Sequence, residues 1–327
     1  MESTKTALIT GITGQDGAYL SKLLIEKGYR VIGLTRYQSL ANKARLTYLG
    51  IADKVIMEEC NLLDVSQIIK LLMQYQPEEI YNLAAQSSVS ASFRQPIETI
   101  NFNSISVINL LESIKIVNKK IKFYQASSSE MFGDINQLPI VEDSIFHPKS
   151  PYAISKATAH WICVNYRESY DLFISCGILF NHESYLRSEN FFMKKILRTA
   201  INISKGKQDK LVVGNIDIKR DFGYAPAYIE TMYLMLQHHT PKNYIVCSGK
   251  SVSLRSIIEY IFLKLDIPLS KLELDKDLYR PSEIPDIYGS PDLVKNELGW
   301  QYDMTVYEVI DLLLAEELTA LNLRAND

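Results

Sequence analysis

The sequence ALITGITGQDG spans residues 7–17, near the start of the chain. Its first four residues are apolar or β-branched and predict a short strand, while Gly11, Gly14 and Gly17 predict a tight turn into a helix. Such glycines let the backbone approach a pyrophosphate, and the helix N-terminus offers it free N–H groups. A plain strand–helix turn is the alternative explanation. The position of the glycines between a strand and a helix favours dinucleotide binding.

Downstream of this loop, strand and helix patterns alternate. Apolar, strand-like runs recur at 30–34, 54–57, 79–84 and 121–126, and residues 65–75 have helical spacing. Strands that alternate with helices form βαβ units, which assemble into a parallel sheet. The pattern therefore predicts an α/β fold with a Rossmann-like, doubly wound parallel sheet and helices on both of its faces.

The second half of the chain is more mixed. Helical patterns run over 150–170, 191–205, 226–237, 253–265 and 305–321, with short strand-like pieces between them. We expect two units that pack directly together, with a cleft between them. Residues 1–180 are predicted to form a Rossmann domain that binds the dinucleotide, and segments near 224–250 return to it. Residues 181–327 are predicted to form mainly a smaller, mixed α/β domain that binds the substrate.

The composition argues against several classes of partner. The 327 residues include 35 basic and 38 acidic side chains, a net charge of −3, which gives no electrostatic footprint for nucleic acid or an anionic membrane. The four cysteines are far apart and lack metal-ligand spacing, so we expect buried thiols and no metal site. Neither a signal-peptide pattern nor an apolar run of transmembrane length occurs, and a cytoplasmic location is the default expectation.

The end of the second predicted strand selects the form of the dinucleotide. NAD-binding folds usually place an acidic residue there for the ribose 2′-hydroxyl, whereas this chain has Arg36, followed by Ser39. A guanidinium and a hydroxyl can instead bind a 2′-phosphate. A solvated surface arginine is the alternative explanation. We favour NADP as the cofactor.

Four residues predict the chemistry. Tyr152 and Lys156 lie one helical turn apart, and a nearby cation lowers the pKa of a phenol so that it can take a proton from a substrate hydroxyl. Ser128 and Glu130 follow the fifth predicted strand, at the sheet edge where ligands bind in doubly wound folds. A hydroxyl there can hydrogen-bond a substrate oxygen, and a carboxylate can remove a carbon-bound proton. Turn formation and a solvated carboxylate are the alternative explanations.

Several segments together point to one family. They are GITGQDG (11–17), YNLAAQS (81–87), FYQASSSE (123–130), SPYA (150–153), VNYRE (164–168), GILFNHES (177–184), KRDFG (219–223), YRPSE (279–283) and ELGW (297–300). With these segments the chain resembles the GDP-mannose 4,6-dehydratases, which are extended short-chain dehydrogenase/reductases, over nearly its whole length. The resemblance implies an NADP-dependent hydro-lyase that moves a hydride of a GDP-hexose from C4 to C6 with loss of water. It also implies a homodimer or homotetramer.

The resemblance extends to individual residues. Catalytic roles fall on Ser128, Glu130, Tyr152 and Lys156, where Tyr152 and Lys156 form the redox pair and Glu130 is the elimination base. Together with the loop and the strand end described above, it gives a predicted cofactor-binding set of Gly11, Thr13, Gly14, Gln15, Asp16, Gly17, Arg36, Ser39, Asn61, Leu62, Leu83, Ala84, Ala85, Gln86, Ser87, Tyr152, Lys156, His182 and Arg187. The implied substrate-binding set is Ser87, Ser128, Glu130, Asn181, Lys195, Gly214, Arg220, Arg280 and Glu283.

Some positions depart from the family pattern. Asn61 stands where an aspartate usually receives the adenine, and Tyr185 and Leu186 stand where a proline and a basic residue are usual. The last two lie in a loop expected to border the sugar, so a GDP-linked N-acetylhexosamine or heptose is an alternative substrate. Two other functions stay open: an NADP-dependent epimerase or reductase of a GDP-sugar, and a cofactor sensor without catalysis.

Overall fold

The computed structural model describes residues 4–36, 43–135 and 137–325. Its strands are β1 (Thr6–Thr10), β2 (Arg30–Thr35), β3 (Val55–Glu59), β4 (Glu79–Asn82), β5 (Lys122–Ser128), β6 (Ile174–Leu179), β7 (Asn181–Glu183), β8 (Leu211–Val213), β9 (Lys219–Tyr224), β10 (Asn243–Val246), β11 (Ser251–Ser253) and β12 (Leu272–Leu274). Its helices are α1 (Gln15–Glu26), α2 (Ala44–Tyr48), α3 (Val65–Tyr75), α4 (Val89–Arg94), α5 (Pro96–Val117), α6 (Pro151–Tyr170), α7 (Phe192–Ser204), α8 (Ala225–Gln237), α9 (Leu254–Lys264), α10 (Asp292–Leu298) and α11 (Val306–Ala325). None of these helices has both the length and the apolar character needed to cross a membrane.

A parallel sheet with the strand order β10-β6-β5-β4-β1-β2-β3 forms the centre of the molecule. Strands β1, β4 and β6 are buried along their whole length, because helices cover both faces of the sheet. Helices α1 and α8 contribute to the apolar core on one face, and α3, α5 and α6 to the core on the other. The predicted Rossmann-like, doubly wound fold is confirmed.

A further apolar core, separate from those on the two faces of the large sheet, lies among α7, α9 and α11. Two small sheets accompany it, one with the order β11-β9-β7 and one pairing β12 with β8. The sequence patterns predicted these helices and β8 but not β7, β9, β11 or β12, because such short strands show no clear alternation of polar and apolar residues. The division of the chain at residue 180 stays a prediction.

Two strand ends differ from the sequence expectation at the carboxyl edge of the large sheet. Strand β5 continues through Ser128 instead of ending at residue 126, because Ser127 and Ser128 pair with the last two residues of β6. Strand β4 ends at Asn82 instead of residue 84, because the next two backbone N–H groups donate to the Thr10 hydroxyl at 3.1 and 3.0 Å. Ser128 is therefore held by the sheet itself.

The loop between β1 and α1 lies so close to its neighbours that side chains are excluded. A Cβ on Gly11, whose φ is +68°, would lie 2.8 Å from the backbone nitrogen of Ala84. A Cβ on Gly17 would lie 2.5 Å from the carbonyl oxygen of Gly11. Behind the loop, the buried side chain of Ile12 fills the space above Gly33 in β2. Glycine at these positions holds the loop against the sheet.

The packing of Ile12 on Gly33 can be tested with a double-mutant cycle. Gly33→Ala should lower the free energy of unfolding by about 1–3 kcal/mol, because the new Cβ would lie 2.2 Å from Ile12 Cδ1. Ile12→Ala alone should lower it by about 2–5 kcal/mol through the cavity it leaves. The double variant should lose less than the sum by about 1 kcal/mol or more, because the new methyl group enters that cavity. Urea unfolding measures all three, and strict additivity would contradict the contact.

Candidate active site

A cleft of about 740 Å³ opens at the carboxyl edge of the large sheet. Its walls come from the β1–α1 loop, from the ends of β2, β4, β5 and β6, and from β7, β9 and the start of α7. The predicted site residues that line it are Gly11, Thr13, Gly14, Gln15, Asp16, Gly17, Arg36, Leu62, Leu83, Ala84, Ala85, Ser87, Ser128, Glu130, Tyr152, Lys156, Asn181, His182, Arg187, Arg220 and Arg280. One cleft thus brings together residues from most of the chain.

A few predicted site residues lie elsewhere. Asn61 and Lys195 are exposed outside the cleft wall. Gln86 points into a hydrogen-bond network, accepting from Ser88 N at 2.5 Å and donating to Thr99 Oγ1 at 3.2 Å. Gly214 packs on the backbone of residue 278, and Glu283 does not line the cleft but pairs with Arg220 and Arg280. Ser39 lies outside the described residues. The roles given to these six residues remain predictions.

Tyr152 and Lys156 project from the first turns of α6 into the cleft. The helix begins where the Ser150 hydroxyl accepts a hydrogen bond from the backbone N–H of Ala153 at 3.0 Å. Lys156 Nζ donates to the carbonyl oxygen of Ala126 at 2.7 Å, which fixes the ammonium beside the end of β5. Burial lowers the pKa of Lys156 to about 8, although the negative charge of Asp16 acts in the opposite direction. The lysine therefore carries its charge at neutral pH.

The Tyr152 phenol lies beside the Ser128 side chain, and both residues line the cleft. Burial raises the pKa of Tyr152 to about 12, while a hydrogen bond with the Ser128 side chain lowers it. At neutral pH the phenol is protonated. Additional positive charge beside the ring would favour the phenolate. Tyr152 can therefore act as a base when a cation lies next to its ring.

Glu130 lies on a single 3₁₀ turn directly after β5, and it faces the same cleft. Its backbone N–H donates to the Ser128 hydroxyl at 3.3 Å, which links the turn to the strand end. The negative charge of Glu130 acts on two groups across the cleft: it contributes to the raised pKa of Tyr152 and opposes the burial that lowers the pKa of Arg220. A phenol, an ammonium and a carboxylate therefore share one partly buried space.

Asp16 and His182 join the first turn of α1 to β7. His182 Nε2 lies 3.0 Å from Asp16 Oδ2, and its Nδ1 lies 2.7 Å from the carbonyl oxygen of Phe180. Both neighbours are acceptors, so the doubly protonated imidazolium satisfies both contacts. Burial would lower the pKa of His182, but Asp16 raises it above its usual value overall. Burial would likewise raise the pKa of Asp16, but His182 holds it below its usual range.

The far end of the cleft carries two arginines. Arg220 is buried and donates to the carbonyl oxygens of Lys219 and Ile284 at 2.8 and 2.7 Å. Its Nη2 lies 3.7 Å from one carboxylate oxygen of Glu283, and Arg280 Nε lies 3.8 Å from the other. Planar guanidiniums held in this way suit a diphosphate group.

Sequence reasoning missed three residues around the cleft. Glu183 is buried in its wall, where burial raises the pKa of the carboxyl and its nearest cation is Arg187 at 3.5 Å. It follows His182 directly, so its place in the NHES segment could have indicated it. Arg94, at the end of α4, also lines the cleft, and no sequence signal marks it. Arg45 joins two loops beside the cleft, through partners far away in sequence.

Comparison with known proteins identifies the relatives of this chain. The model of the family described as GDP-mannose 4,6 dehydratase matches residues 8–313. The chain belongs to this family. It is 41% identical to GDP-mannose 4,6 dehydratase 1 of Arabidopsis thaliana, over 96% of this chain and 90% of the relative. It is 38% identical to the GDP-mannose 4,6-dehydratase of Vibrio cholerae serotype O1, over 96% and 94%.

Solved structures agree with the fold of this dehydratase-family chain. RMD from Pseudomonas aeruginosa, solved in complex with NADPH, superposes with a TM-score of 0.80 at 25% identity over 95% of this chain and 98% of that one. The UDP-glucose 4-epimerase of Thermotoga maritima superposes with a TM-score of 0.85 at 20% identity, over 97% and 99% of the two chains. The epimerase likeness concerns the fold alone.

The Asp16–His182 pair predicts a pH-dependent stability for this member of the family. The folded-state pKa of His182 is raised, so the pair stabilises fully below the unfolded value of about 6.5 and loses this contribution as pH rises through the folded pKa. Asp16→Asn should therefore lower the free energy of unfolding by about 1–3 kcal/mol at pH 6, and by less at pH 9.

Urea unfolding of the cofactor-free protein at the two pH values measures this difference. Asp209→Asn is a matched control, because it removes an exposed carboxylate that pairs with Lys271, and it should have little effect at either pH. An equal loss at pH 6 and pH 9 for Asp16→Asn would show that His182 is neutral in the folded protein.

Proposed function

We propose that this protein is a GDP-hexose 4,6-dehydratase with GDP-mannose as its substrate. The observation that carries the proposal is the shared position of Tyr152, Lys156 and Glu130 around one cleft, beside a loop suited to a dinucleotide. A dehydratase needs a redox pair and a separate base for elimination. An epimerase or a ketoreductase needs the pair alone. A cofactor sensor needs none of these groups.

The residues present fit NADP. Gly11 and Gly17 let the β1–α1 loop pack tightly on the backbone behind it, and the N-terminus of α1 lines the cleft, where it can offer free N–H groups to a pyrophosphate. Arg36 stands at the end of β2 with its guanidinium 5.5 Å from the ring centroid of Phe102, where it can bind a 2′-phosphate. The NADPH bound to RMD supports the same choice. When bound, NADP supplies the hydride acceptor and later the hydride donor.

The first step falls to Tyr152. In the proposed mechanism its phenolate takes the proton of the C4 hydroxyl, while Ser128 donates a hydrogen bond to the same oxygen. Lys156 is fixed at the end of β5 by its hydrogen bond to Ala126, and its positive charge would favour the phenolate. Loss of this proton gives a C4 ketone only together with loss of the C4 hydride, which bound NADP would accept. The ketone makes the C5 hydrogen acidic.

Glu130 then performs the elimination. Its carboxylate takes the C5 proton and passes it to the departing C6 hydroxyl, which leaves as water. Once C6 carries the returned hydride, C5 must take up one proton. The proton that Tyr152 took from the C4 hydroxyl accounts for it. The product is a GDP-4-keto-6-deoxy sugar, without net consumption of a reductant.

The two side chains that depart from the family pattern in the loop after β7 do not face the cleft. The Tyr185 ring stacks on Tyr48 with a centroid distance of 4.8 Å. Leu186 is buried in the apolar core to which α1 and α8 contribute. Neither side chain lines the cleft. This orientation supports GDP-mannose over a GDP-linked N-acetylhexosamine or heptose. A panel of the three GDP-sugars distinguishes them directly.

The mechanism predicts internal hydride transfer. GDP-mannose deuterated at C4 should give a product deuterated at C6 of the same molecule, as measured by mass spectrometry and NMR. Loss of the deuterium to water would contradict the hydride cycle. Stoichiometric consumption of added NADPH would instead indicate a reductase.

Glu130→Gln separates the two halves of this reaction. Water loss should fall by roughly 10²–10⁴-fold, because the base is removed, while NADPH absorbance still appears in a single turnover. Tyr152→Phe is the control for the first half, and it should abolish that absorbance as well. An unchanged elimination rate in Glu130→Gln would remove Glu130 from the role.

We also propose a cytoplasmic homodimer. The family resemblance supports association through α5 and α6, whose outer face carries Trp161 and Ile154 at 58% and 43% exposure. Both side chains line an apolar groove that also includes Phe146 and Ile162. The four buried cysteines form no disulfide, which fits a reducing compartment.

Substitution on this face should change the oligomeric state. Trp161→Glu should convert the dimer to a monomer in light scattering, because a charge would enter an apolar contact. Leu263→Glu, at a 75% exposed position on α9, is the matched control and should leave the dimer intact. A dimer in both variants would place the contact on another surface.

A further inference from the structure

Arg45, in the first turn of α2, forms a bridge between two loops beside the cleft. Its Nη1 donates to the carbonyl oxygen of Thr13 at 2.9 Å, within the β1–α1 loop. Its Nε donates to the carbonyl oxygen of Leu186 at 2.8 Å, and its Nη2 to the hydroxyl of Ser188 at 2.9 Å. The partners on the second loop are more than 140 residues away in the sequence. One guanidinium therefore joins the first and second halves of the chain.

The second of these loops, residues 184–188, carries a charged group of the cleft. Arg187 lines the cleft, packs on Phe191 and lies 3.5 Å from Glu183. The Asp16–His182 pair joins the same two parts of the chain at another point. Arg45 thus provides a second connection, which fixes the spacing between the β1–α1 loop and Arg187.

Only arginine has donors for this geometry. A guanidinium presents five N–H groups in a rigid plane, and three of its nitrogens reach three oxygens here, whereas a lysine ammonium is a point charge on a flexible stem. Burial and the neighbouring positive charge of Arg187 both lower the pKa of Arg45. An arginine nevertheless keeps its charge at neutral pH. Its positive charge is held by neutral oxygens close to the loop expected to bind phosphates.

We propose that Arg45 is a positioning residue that retains the cofactor through the whole catalytic cycle by clamping the β1–α1 loop to the 184–188 loop. This inference rests on the proposed function. In a dehydratase the reduced cofactor must stay bound from the first hydride transfer to the last. Its release in between would leave an oxidised sugar with no hydride to receive at C6.

The experiment follows the hydride in competition with free cofactor. GDP-mannose deuterated at C4 is turned over in a large excess of unlabelled NADPH, and deuterium at C6 is measured together with the dissociation constant of NADP. The wild-type protein should keep the label. Arg45→Gln should weaken NADP binding by about tenfold or more, because three charge-assisted hydrogen bonds are lost, and should lose a large part of the label. Arg45→Lys should give intermediate values.

Arg167 offers a matched control. It is also half-buried, and its Nη1 donates to the carbonyl oxygen of Ile174 and to Asn243 Oδ1, each at 3.0 Å. These partners lie at the amino ends of β6 and β10, at the opposite edge of the sheet from the cleft. Arg167→Gln should lower stability while leaving label retention and NADP affinity unchanged.

The outcomes separate the inference from the proposed function. If Arg45→Gln keeps both the label and its affinity for NADP, the clamp is wrong and the dehydratase proposal is unaffected. If the wild-type protein itself transfers no label to C6, the proposed function fails, and NADP affinity alone then decides the role of Arg45. If Arg45→Gln does not fold, label retention and NADP affinity are measured on Arg45→Lys instead. Wild-type values of both quantities in that variant would overturn the clamp.

Discussion

A row of side-chain hydrogen bonds across the carboxyl edge of the sheet ties the parts of the site together. The Thr10 hydroxyl donates to Asn82 Oδ1 at 2.7 Å, and Asn82 Nδ2 donates to Gln125 Oε1 at 2.8 Å. Gln125 and Lys156 then both donate to the carbonyl oxygen of Ala126. These residues are almost completely buried, so an unmade bond would leave a polar group without water. The order of the strands is therefore coupled to the position of the Lys156 ammonium.

Burial shifts the pKa values of Tyr152 and Lys156 in opposite directions. It lowers the pKa of Lys156 to about 8 and raises the pKa of Tyr152 to about 12, because a low-dielectric site disfavours either charge alone. Charge on one group therefore becomes favourable when opposite charge lies nearby. In such a site the Tyr152 phenolate is favoured only when positive charge lies beside it.

The order of strands and helices in the first half could be predicted, because long apolar runs and glycine turns are local signals. The extent of β5 could not, since Ser127 and Ser128 become strand only by pairing with β6. The cleft positions of Tyr152, Lys156 and Glu130 followed from motifs near strand ends. The bridge made by Arg45 could not be foreseen, because a backbone carbonyl such as that of Leu186 leaves no mark in the sequence.

The two arginines at the far end of the cleft share the single carboxylate of Glu283. In the proposed function these two guanidiniums bind the diphosphate of the GDP-sugar. The reaction changes only the hexose, so the leaving molecule keeps the same diphosphate that anchored the arriving one. The contacts to the diphosphate are therefore the same before and after the reaction. Release of the product must then depend on contacts to the altered sugar ring.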